Sequence, residues 1–89
     1  MNGYIKIFRQ ITEWEWYTDT NTKTVFLHLL LTANFQDKQW RGIVIKRGER
    51  VCSYGTLSEE LHLSEKKIRT AISHLKSTGE VASKAYPKY

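Results

Sequence analysis

The clearest stripe in the chain runs from Ile68 through Ala71 and Ile72 to Leu75, apolar positions at three- and four-residue steps with polar residues between them. That spacing puts all four side chains on one face and predicts a helix over residues 64–78. Ser64 supplies a capping hydroxyl, Glu65 lies at the positive end of the helix dipole, and Gly79 takes the left-handed position that ends the helix. Upstream, Leu57 and Leu61 lie four apart behind the cap Ser53 and mark a second, shorter helix. It carries Gly55 inside it, at a cost of about 1 kcal/mol against alanine. Three residues join the two helices, with Leu63 expected between them. His62 stands where the turn needs positive φ, a region histidine enters more readily than most residues.

Val25, Phe26, Leu29, Leu30 and Ala33 form a wide stripe behind the cap-rich stretch TDTNTK, which predicts a helix over residues 20–34 opened by Asp19 or Asn21. Leu27 and Leu31 fall off that stripe. This helix is therefore either the central pillar of the domain or a contact with another chain. In residues 1–17, Tyr4, Ile5, Phe8 and Ile11 recur at helical steps, although Ile5 and Ile7 around Lys6 suit a strand equally. NFQDKQWRG reads as a loop whose Trp40 folds back on the core. Ile43-Val44-Ile45 and Arg50-Val51-Cys52-Ser53 read as two short strands around a turn at Arg47-Gly48. The expected fold class is α+β and mainly α, with three core helices and short strands.

A chain of 89 residues allows one domain, 1–89, with an aromatic segment 1–17 and the paired helices 53–79. So small a chain buries only about 60–65% of its unfolded surface, which leaves little room for an enclosed active site. Cys52 has no second cysteine to pair with, which fits a reducing cytoplasm; it is expected as a buried strand cysteine. The apolar run 25–31, interrupted by His28, is far short of the ~20 residues that span a bilayer. Lys6 and Arg9 interrupt the first apolar stretch, unlike a signal peptide. A cytoplasmic protein with no membrane contact is expected.

Charge changes the picture. Residues 1–40 balance four cations against four acids, so the whole net charge of +5 comes from residues 41–89. A basic half of that kind points to an anionic partner. His28, His62 and His74 have no metal-ligand spacing and only Cys52 as a soft neighbour, so no metal, cofactor or catalytic residues are expected. His28 reads as a partly buried structural histidine, and His74 as a helix-flank residue that a phosphate could meet. Trp14 and Trp16 lie in an acidic run, which suits packing on the central helix or a partner subunit better than stacking on bases. Opposite the Ile68–Leu75 stripe lie Lys66, Thr70, Ser73 and Ser77, flanked by Lys67, Arg69, His74 and Lys76. That polar, basic face suits the major groove of DNA.

LSEELHLSEKKIRTAISHLKSTGE resembles the helix-turn-helix of bacterial winged-helix proteins, with Leu57, Leu61, Ser64, Ile68, Ala71, Leu75 and Gly79 at the matching positions. Ser58 replaces a small alanine and His62 a turn glycine. GYIKIFRQI, WEWY, TKTVFLHLLLTAN and WRGIVIKRGE precede it in the order found in phage replisome-organiser N-terminal domains, which are DnaD-like winged helices. The resemblance covers nearly the whole chain. It implies a winged helix-turn-helix whose wing begins in residues 80–89, with a first strand over 80–85, at the front of a longer protein. It also implies a double-stranded DNA-binding domain of a phage or mobile-element replication initiation protein. The expected DNA contacts are Ser64, Lys66, Lys67, Arg69, Thr70, Ser73 and Lys76, with Arg47 and Lys84 adding phosphate contacts from the turn and the wing. A winged-helix transcription regulator is the alternative within the same fold. A protein–protein assembly module without DNA binding is the third reading. Other replication proteins are possible partners, as is a second copy held through residues 1–17 and the central helix.

Overall fold

The structure, a computed structural model, describes residues 5–83. They form a small α+β domain of three helices and a two-stranded antiparallel sheet. A 3-10 turn at Arg9–Glu13 is followed by α1 (Thr20–Thr32), β1 (Lys38–Trp40), β2 (Ile43–Ile45), α2 (Tyr54–Leu61) and α3 (Glu65–Ser77).

Each helix starts where a short polar side chain satisfies an amide that the helix leaves open. Asp19 accepts from the Thr22 amide at 3.0 Å, Ser53 from Thr56 at 3.1 Å, and Ser64 from Lys67 at 3.2 Å. His62 ends α2 in the left-handed region, at φ 56° and ψ 39°. The hydroxyl of Ser58 donates to the Leu63 carbonyl at 2.5 Å. Ser58 therefore latches the turn as well as keeping the small volume expected of it. Gly79, at φ 86°, closes α3.

α3 packs on both α1 and α2, and the buried cluster forms where the three meet: Val25, Leu57, Ile68, Ala71, Ile72 and Leu75. Trp14, Trp16, Phe26, Tyr54, Leu61, Leu63 and Val81 close its edges. α1 serves as a pillar on one face only. Val25 is fully buried, whereas Leu31 is 65% exposed.

The hairpin differs from expectation. β2 pairs with the preceding KQW segment, Lys38 opposite Ile45 and Trp40 opposite Ile43, and not with the segment after it. Arg41 and Gly42 make the turn at φ 49° and 78°. Two consecutive positive φ values match the twist of the flanking strands, so this turn closes a hairpin directly. An arginine in that region costs about 1–3 kcal/mol. The turn at Arg47-Gly48 does form, with the Glu49 amide donating to the Lys46 carbonyl at 2.9 Å. The chain then leaves toward the helices, because the Asn34 amide donates to the Glu49 carbonyl at 2.9 Å and Arg50 reaches Glu60. Cys52 is accordingly exposed and in no strand.

Residues 5–8 are neither helix nor strand, and Phe8 is 75% exposed; Tyr4 lies outside the described residues. The aromatic part of the first segment packs as expected. Trp14 meets Phe26 at 4.9 Å between ring centroids, and the Lys23 ammonium lies 4.3 Å from the centre of the Tyr17 ring. After α3, residues 80–83 form no strand, while Val81 packs on the core. The rest of the expected wing, Lys84 included, lies outside the described residues.

One polar tie joins three elements. Glu60 accepts from Arg50 Nη2 at 2.7 Å and from His28 Nε2 at 2.8 Å, and Arg50 Nη1 donates to Thr32 Oγ1 at 3.0 Å. His28 is thus the half-buried structural residue expected. The hydrogen bond from Arg50, and then that from His28, lower the Glu60 carboxyl from its ordinary 4.5 to about 2. A depressed carboxylate adds stability that is fully present above its unfolded value and lost as pH falls through its folded value. Between pH 4.5 and 2 the parent should therefore lose stability relative to Glu60→Gln. Melting temperatures of both proteins across that range check this; a constant difference would refute it.

Candidate nucleic-acid interface

The expected reading surface is assembled on one helix. Because Ile68, Ala71, Ile72 and Leu75 are buried, the 100° step per residue turns Lys66, Thr70, Ser73 and Ser77 straight out to solvent. Lys67 lies on the flank toward α1, and Arg69 and Lys76 on the other. All seven are exposed, as is the cap Ser64. Glu65 is the acid on this helix; it faces the Arg69 side, at 3.9 Å from that guanidinium.

Internal hydrogen bonds limit what each hydroxyl can offer. Thr70 Oγ1 donates to the Lys66 carbonyl at 3.0 Å, which leaves its oxygen as an acceptor. Ser77 donates to the His74 carbonyl at 2.6 Å in the same way. Arg69 is steadied from outside the helix: its guanidinium carbon lies 4.6 Å from the centre of the Tyr54 ring on α2. A guanidinium laid on an aromatic face keeps its planar edge for a phosphate or a base.

His74 is drawn inward, away from the surface expected of it. Its ring stacks on Trp16 at 4.3 Å and 5°, and its Nδ1 hydrogen-bonds with Oγ1 of the buried Thr22 at 2.9 Å. Asp19 Oδ2 lies 3.5 Å from the same nitrogen. His74 is therefore the tie between α3, α1 and the first segment. Arg47 is not on α3 but in the turn after β2, where its backbone amide donates to Asp37 at 2.9 Å and its side chain is exposed. Lys84 lies outside the described residues.

Two features escape the sequence reading: Tyr54 under the Arg69 guanidinium, which acts between two helices, and the positive-φ turn at Arg41-Gly42, of which only the Arg-Gly pair left a local signal. Among the described residues no group of His, Cys, Asp or Glu could hold a metal ion, and no helix is long and apolar enough to cross a membrane. No protein family, curated protein or solved structure matches the chain.

Proposed function

We propose that the chain is a winged helix-turn-helix module that binds double-stranded DNA with α3 in the major groove and performs no catalysis. The observation that carries this is the outward face of α3, where Lys66, Lys67, Arg69 and Lys76 surround the hydroxyls of Thr70 and Ser73. Lysines and arginines supply phosphate contacts, and a central polar row supplies groups for base edges. The tight left-handed turn at His62 and the caps at Ser53 and Ser64 support a helix-turn-helix.

The resemblance to phage replisome organisers favours a role in replication initiation over one in transcription. A helicase-loader gene beside its own would support that choice. An assembly module is the second reading, favoured by Leu30, Leu31 and Phe35, which α1 and the residues after it leave exposed. Duplex binding measured over a series of salt concentrations separates the readings. The DNA-binding protein should give a log–log slope on the order of −4, from about five phosphate contacts. Absence of salt-dependent binding would favour assembly.

A further inference from the structure

Thr70, Ser73 and Ser77 carry hydroxyls on the outward face of α3, but their hydrogens are not equally free. Thr70 Oγ1 donates to the Lys66 carbonyl at 3.0 Å, and Ser77 Oγ to the His74 carbonyl at 2.6 Å. Each uses its one hydrogen inside the helix and keeps lone pairs for a ligand. Among the described residues nothing takes the Ser73 hydroxyl, which can rotate to donate or to accept and so discriminates little by itself. Ser77 is the last residue of α3, beside the end where the helix's own unpaired carbonyls gather. Thr70 lies in the first half of the helix, the half of a reading helix that meets base edges.

The neighbours of Thr70 set it between charges. One turn before it, about 6 Å along the axis, stands Lys66. Lys67 lies on the flank toward α1 and Arg69 on the other, its guanidinium carbon 4.6 Å from the centre of the Tyr54 ring. Cations on both flanks suit the phosphates along the two edges of a major groove, which leaves Thr70 over the groove floor. There each base pair offers an exocyclic amino group on one strand, adenine N6 or cytosine N4, and a carbonyl on the other, thymine O4 or guanine O6. An oxygen with no hydrogen to give is attracted by the amino group and repelled by the carbonyl. We propose that Thr70 reads strand orientation: at its base pair it accepts from adenine or cytosine on the near strand and discriminates against guanine or thymine there. The proposal rests on α3 being the reading helix on double-stranded DNA.

Thr70→Val and Thr70→Ser test it. Valine keeps the shape without the oxygen, and serine keeps the oxygen without the methyl; both should melt near the parent because the position is exposed. Each folded protein selects from a pool of duplexes with a randomised core, and the bound fraction is sequenced. The parent's preferred site should contain a position restricted to adenine or cytosine on one strand. Reversing that base pair should weaken parent and Thr70→Ser binding about three- to tenfold, the worth of one hydrogen bond, and Thr70→Val binding hardly at all. Reversal that weakens Thr70→Val as much as the parent would overturn the Thr70 contact and leave α3 as reader. A preference lost in both variants would assign the discrimination to the threonine methyl and overturn the proposal too. A parent that selects no preferred site would also overturn it. If Lys66→Ala/Lys67→Ala then bound the pool as tightly as the parent, α3 would fall as reader as well.

Discussion

Replacing Lys66, Lys67 and Arg69 together by alanine is expected to weaken duplex binding on the order of 100-fold near physiological salt. It should also flatten the log–log salt slope by about 2.7, at about 0.9 for each lost phosphate contact. The fold should survive. All three side chains are exposed, and the cap at Ser64 uses the Lys67 backbone amide, which alanine retains. Alanine is also the best helix former at these positions. Arg69 has an additional local role, stacked on Tyr54 and near Glu65, and ties of that kind at a surface are worth about 0–1 kcal/mol. Removing Ser73 or Thr70 should behave differently: about 1–3 kcal/mol on the preferred sequence and little on random DNA. Thr70 can serve only as an acceptor, because its hydroxyl hydrogen is committed to the Lys66 carbonyl. Binding across several salt concentrations, with folding checked by circular dichroism, decides the matter. If the folded triple variant binds as tightly as the parent, α3 is not the reader and the assembly reading gains.

What could be read in advance was what neighbours in sequence determine. The caps at Asp19, Ser53 and Ser64, the left-handed His62 and the buried stripe of α3 all depend on residues within four positions of one another, and all appear as expected. His74 shows the limit. A helical wheel places it on a polar flank, but it cannot show that α1 brings Thr22, and the first segment Trp16, to that flank. The hairpin shows another. Ile43-Val44-Ile45 is recognisable as β-branched, whereas a three-residue KQW strand has too little alternation to announce itself. The β-branched run therefore points to a partner after β2 instead of before it, and the same pattern suggests a buried strand at Cys52. In the first segment, large aromatics need burial and find it at Trp14 and Trp16. The spacing of Ile5 and Phe8 has no such face to fill, and both remain exposed.

Trp16→Ala is expected to lower stability by about 2–3 kcal/mol, less than the 3–5 of a fully buried tryptophan because this one is half-buried. The loss combines the parallel stack on His74 with the hydrogen bond from Trp16 Nε1 to Thr78 Oγ1 at 2.9 Å. For a domain of this size that is a large share of total stability, and the melting temperature should fall by about 10 °C or more. Phe8→Ala, at an exposed position of the same segment, should change stability by no more than about 0.5 kcal/mol. Deleting residues 1–17 removes Trp14 as well and should cost at least as much as Trp16→Ala. A truncated chain that melts with the parent would show that the first segment does not hold the helices together. The same variants also test where a bound duplex would lie under the proposed function. Trp16 reaches α3 from the side opposite the Arg69 flank, within an acidic run of Glu13, Glu15 and Asp19. Well below its melting temperature, Trp16→Ala should therefore bind duplex with the parent's salt slope. A reduced slope in the folded variant would place phosphate contacts beside Trp16, on the α1 side of α3.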